Sequence, residues 1–131
     1  MLKRILLAIL AVFFAFAVMD FVIHGLILSS IYEATAELWR PMEEMNMPLT
    51  YLVTFVFSAC MVGIYALLVS PKSLMAGVTL GVLLGIASGV SMGFGSYCYM
   101  PIPLTLAGGW FGGTLVECTV AGAIIGAIVK K

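Results

Sequence analysis

The sequence predicts an all-α integral membrane protein, a four-transmembrane-helix bundle with both termini in the cytoplasm. Three observations carry that prediction. Of the 131 residues, 63% are hydrophobic and only 9% charged, and the mean hydropathy is +1.22, a composition foreign to soluble domains. The apolar residues fall into four runs, each reaching the ~20 residues that cross the hydrocarbon of a bilayer. The charges sit between the runs: Lys3, Arg4, Lys72, Lys130 and Lys131 at the start, the middle turn and the end, and Glu33, Glu37, Arg40, Glu43 and Glu44 in one intervening segment. Basic residues mark cytoplasmic ends, so the acidic segment is expected outside, in a bacterial-type inner or plasma membrane. The length allows a single membrane domain over 1–131. No basic cluster exists beyond the helix ends, which leaves nucleic-acid binding without support.

The first span is predicted over 3–28. Its opening, with basic residues, an apolar run and Ala15-Phe16-Ala17, imitates a secretory signal and its cleavage site. The run continues well past Ala17, and an uncleaved helix is expected. Residues 29–40 (SSIYEATAELWR) lack Pro and Gly and are expected to prolong this helix as an extracytoplasmic amphipathic extension along the interface, with Tyr32 and Trp39 in the aromatic belt. Pro41 is expected to end it. The second span is predicted over 49–69, returning through the short turn Ser70-Pro71-Lys72-Ser73.

The third span is predicted over 74–96 and carries Gly77, Gly81, Gly85, Gly89 and Gly93, one glycine every fourth residue. In lipid such a stripe lets a second backbone approach closely. After a turn with Pro101 and Pro103 comes the fourth span, predicted over 104–129, with Gly109 and Gly113 on the same stripe as Glu117 and Ala121. Helix 1 is aromatic and acidic where helix 3 is glycine-rich, so no internal repeat is visible.

Candidate chemistry centres on Asp20, His24 and Glu117, which lie inside apolar runs. An acid at the centre of a membrane helix costs about 2.5–3.5 kcal/mol on insertion scales, and such groups commonly mark ion or proton pathways. Asp20 and His24, four apart, share a helix face. At about 1.5 Å per residue across a core of about 30 Å, Asp20 should lie roughly 7–8 Å below the outer surface and Glu117 roughly 20 Å below it. That separation of about 12 Å argues against one compact site. Thr54, Ser58, Ser88 and Ser91 are expected at the depth of Asp20, and Thr79 near Glu117. Three readings stay open for the Asp20–His24 pair: a structural polar clasp, a proton or cation site, and a contact with a charge on another subunit. For Glu117 the commoner outcome is a neutral, hydrogen-bonded carboxyl.

Met42, Met45 and Met47 in the outer loop, with Cys98 and Met100 in the other outer turn, form a weak candidate for a soft metal such as Cu(I). Three cysteines, Cys60, Cys98 and Cys118, are too scattered for a disulfide framework. No nucleophile motif or phosphate loop is present, so an enzyme is not expected. The sequence identifies no cofactor. Two functions are expected: a small oligomeric protein that binds or conducts a cation, proton or metal, through the intramembrane acids and His24, or a non-catalytic accessory subunit of a larger membrane complex. An integral enzyme acting on a lipid or quinone is a weaker third.

Overall fold

The computed structural model describes residues 1–130. The chain is all helical, with four helices long and apolar enough to cross a membrane: Leu2–Ile27, Met47–Leu68, Leu74–Tyr99 and Leu104–Ile128. Two of these are interrupted. α1 (Leu2–Val22) passes into a π-helical turn, Ile23–Ile27. α4 (Leu74–Gly89) passes into a second one, Val90–Gly95, before the short α5 (Ser96–Tyr99). α3 (Met47–Leu68) and α6 (Leu104–Ile128) are regular α-helix throughout. Side chains cap two starts: Asn46 accepts the Leu49 N–H ahead of α3 and Ser73 accepts the Ala76 N–H ahead of α4, satisfying donors that each helix leaves orphaned.

The amphipathic extension is not the continuous helix expected through Arg40. The chain bends at Leu28 (ψ 2°), forms the short α2 (Ser29–Ala34), bends again at Thr35, and ends in a 3-10 turn at Ala36–Leu38, before Pro41 is reached. Side-chain hydroxyls divert this backbone: Ser29 donates to the Leu26 carbonyl, and Thr35 to that of Ile31. Such back-bonding competes with helix continuation. The result is a cap folded over α6, with Leu28 buried against Ile102, Leu106 and Ala107, and Trp39 packed on Trp110.

α6 is the hub. One of its faces takes α4 and another takes α1, while α3 packs on α1. The glycine stripe explains the α4 contact. Gly77, Gly81, Gly85, Gly89 and Gly93 are all buried and lie against the backbone of Gly122, Cys118, Leu115, Phe111 and Ala107 in turn. The α1 contact uses the other stripe of α6: a Cβ on Gly113 would stand 3.1 Å from Ile23 Cγ2, and one on Gly109 would stand 2.7 Å from Leu28 Cδ2.

In backbone contacts the four long helices follow the order α3–α1–α6–α4, with few between α3 and α4, although Leu80 and Leu84 of α4 pack against the core that Met61, Val62 and Tyr65 of α3 share. Both termini lie at one end, where Arg4 Nη1 donates to the Lys130 carbonyl at 3.0 Å. Near the turn joining α3 to α4, the buried Tyr65 hydroxyl donates to the Ser73 carbonyl at 2.8 Å and accepts the Ser73 N–H at 2.9 Å. It shares a buried core cluster with Val12, Met61, Val62, Ala121 and Ile125. The opposite end is the rim, and the candidate site lies between the two.

Candidate functional site

α1 and α6 run antiparallel, with Ile23 opposite Gly113 and Leu28 opposite Gly109. One further turn along that register brings Asp20 beside Glu117. The two acids line the same cavity of about 670 Å³, and His24 lines it with them. The expectation that Asp20 and Glu117 lie at separate depths is therefore corrected. It treated Leu104 as level with the surface crossing of helix 1. In fact α6 starts roughly eight residues, or about 12 Å, farther out, packed under the cap.

The supporting hydroxyls divide. Thr54, Ser88 and Ser91 line the cavity, together with Ser96 and Thr114, which had not been singled out. Ser58 is buried at the side, donating to the Thr54 carbonyl at 2.8 Å, and does not line it. Thr79 is exposed and does not line the cavity. Phe16, Val53, Phe57, Met92 and Cys118 supply the apolar wall. Both π-helical turns contribute lining, His24 from the first and Ser91 and Met92 from the second. Such turns recur at functional sites. Nothing in the sequence marks them.

Glu117 is only 6% exposed, and its Oε1 has no hydrogen-bond partner. The carboxyl of Asp20 lies near enough to act on Glu117 both as a hydrogen-bonding neighbour and as a charge. No Lys or Arg lines the cavity. The Asp20 and His24 side chains are 41% and 40% exposed, with Nε2 of His24 at 3.8 Å from Oδ1 of Asp20, too long for a direct hydrogen bond.

A chain of polar contacts runs from His24 to the rim. Trp110 Nε1 donates to the Tyr32 hydroxyl at 2.6 Å, and that hydroxyl meets His24 Nδ1 at 2.7 Å. Burial pushes the Tyr32 phenol above its ordinary range, with the Trp110 N–H opposing, so Tyr32 keeps its proton at neutral pH. In the Nε2–H tautomer of a neutral imidazole, that proton goes to Nδ1 and the ring's own N–H faces Asp20. Tyr32, eight positions from His24, was missed as its partner, and so was Trp110, 78 positions from the Tyr32 hydroxyl it donates to. Aromatic residues at a membrane border have a sufficient explanation in the interface itself.

The thioether candidates lie outside this arrangement. Met42, Met45, Met47 and Met100 are exposed on the rim side, and the Cys98 thiol donates to the Phe94 carbonyl. A soft-metal site there rests on sequence spacing alone. Among the described residues no three His, Cys, Asp or Glu side chains are placed to hold a metal ion.

Fold and site define a class: an all-helical chain with four candidate membrane spans and an acidic cavity between them, compatible with a small multi-pass membrane protein. No protein-family model, curated protein or solved structure matches the chain.

Proposed function

We propose that this protein binds a cation, protons included, within the membrane, at the Asp20–Glu117 pair. The observation that carries the reading is Glu117 Oε1, a carboxyl oxygen buried without a partner beside a second acid and a cavity. A purely structural clasp would leave no such atom unpaired, because an unsatisfied buried polar group costs about 1–3 kcal/mol. His24, held by Tyr32, stands beside Asp20 as its neighbour on the same helix face. The lack of a three-ligand metal geometry favours a proton or a larger cation over a bare metal ion. In this reading the end with both termini faces the cytoplasm, in accord with its lysines and arginine.

The test is covalent. Dicyclohexylcarbodiimide, which reacts with protonated carboxyls in apolar surroundings, should modify Glu117 of the intact protein in liposomes, located by mass spectrometry. Raising the pH or adding a bound cation should slow the reaction. A Glu117 that never reacts overturns the reading.

A second reading, an accessory subunit, draws support from the side of the bundle where α3 and α4 make few backbone contacts, which a foreign helix could fill. Co-purification of a stoichiometric second chain in mild detergent would favour it.

A further inference from the structure

Resting on the cation-site reading, we infer that the ligand is an organic ammonium ion with an apolar body, taken up sideways between α3 and α4.

Size comes first. A proton needs no room and a dehydrated metal ion needs little, whereas about 670 Å³ lies within the range of pockets for small organic molecules. The wall has two chemistries. Asp20 and Glu117 line it, Oε1 of Glu117 buried without a partner, and no Lys or Arg is there to neutralise them. Around them stand the rings of Phe16 and Phe57, packed edge to face with centroids 5.7 Å apart. An aromatic face beside carboxylates attracts an alkylammonium through both its charge and its methyl groups, and does so more strongly where water is thin. Inorganic cations would instead ask for a shell of oxygen ligands close together.

The route follows from the lining. α1 and α6 line the cavity with their acids, while α3 supplies Val53, Thr54 and Phe57, α4 supplies Ser88, and these last two helices make few close backbone contacts with each other. An apolar groove of about 430 Å³ continues from the cavity along α3, sharing Val53 and Phe57 and passing Leu49, Leu52 and Val56. An amphiphilic cation dissolved in the bilayer would lay its chain along this groove and place its head between the acids. The groove contributes orientation more than affinity, since lipid is as apolar as the groove.

The experiment uses the full-length protein in nanodiscs of zwitterionic lipid, with empty nanodiscs subtracted. The probe is benzyldodecyldimethylammonium, whose charge cannot be lost, and its neutral analogue with carbon in place of nitrogen is the control. Saturable binding of the cation is expected, with no competition from the neutral analogue or from sodium. Glu117→Gln should weaken it about tenfold or more, the effect of losing one strong charged contact. Thr54→Phe, which fills the cavity from α3 and removes only a hydroxyl bonded to its own helix at Thr50, should do the same without touching either acid. Carbodiimide modification of Glu117 is measured on the same samples and should slow when the probe is bound. If Glu117 is modified but the probe does not bind, or binds equally to both variants, the ligand class is wrong and the acid site survives. If Glu117 is not modified at all, both readings fall.

Discussion

Gly81→Ala should separate the two central helices. A methyl group built on Gly81 falls into the Cys118 carbonyl oxygen and stands 3.0 Å from both Cys118 C and Thr119 Cα. All three atoms are α6 backbone, so no rotamer change relieves the clash and the helices must part by several tenths of an ångström or more. Parting loosens the Gly77 and Gly85 contacts on either side as well, since one straight stripe makes all of them. Overpacking of this kind costs about 1–3 kcal/mol and occasionally more, against a gain of about 1 kcal/mol from the better helix propensity of alanine. The informative control is Gly112→Ala, on α6 itself, where nothing lies within 4 Å of the added carbon. There only the propensity gain applies, so this variant should match or exceed wild type. Thermal unfolding in mild detergent, followed by size-exclusion profile, measures both, and the two midpoints should move in opposite directions. Equal stability of the two variants would refute the backbone-to-backbone packing of α4 on α6.

Three further outcomes follow from other contacts. Tyr65→Phe removes a fully buried hydroxyl that serves both the N–H and the carbonyl of Ser73; leaving these unpaired should cost about 1–3 kcal/mol, and an unchanged unfolding midpoint would contradict it. Tyr32→Phe takes the acceptor from Trp110 Nε1 and the partner from His24 Nδ1, so the emission of Trp110 should shift and the rim should loosen to proteolysis while the Tyr65 end stays intact; an unaltered tryptophan spectrum would count against the polar chain. Reporter fusions should place the Lys72 turn and the C-terminus on the cytoplasmic side and Glu43 on the other, and a Lys72 reporter active outside would reverse the proposed orientation.

The four long helices were legible because run length and hydropathy decide them with little help from tertiary structure. Their observed limits, such as Met47–Leu68 against an expected 49–69 and Leu74–Tyr99 against an expected 74–96, differ by one to three residues. The caps at Asn46 and Ser73 belong to the same local grammar. What could not be read was register between helices. The depth estimate for Glu117 failed because it fixed α6 at Leu104, and only the packing of Leu106 and Ala107 under the cap shows how far out that helix begins. The partner of the glycine stripe was equally hidden: small residues announce a close approach without naming what approaches. Residues 29–40 misled for a different reason. Their helix propensity is sound, but Ser29 and Thr35 turn their hydroxyls on the backbone, and two tryptophans and a tyrosine pull the segment onto α6.

The two π-helical turns tie these points together. The first, Ile23–Ile27, lies against Gly113, and Leu28 just beyond it against Gly109; the second, Val90–Gly95, lies through Gly93 against Ala107 and Phe111. Both therefore clasp the same two turns of α6, the stretch that contains Gly108, Gly109, Gly112 and Gly113. Gly109 and Gly113 make room for the first turn, and Gly93 lets the second lie against Ala107 and Phe111. Each widened turn in exchange directs a polar group, His24 or Ser91, into the space beside Asp20 and Glu117. The acids alone would be an expense in the membrane. With glycines making room, π turns supplying polar lining and Tyr32 holding the imidazole, the same acids become part of the wall of a polar-lined cavity between four candidate spans.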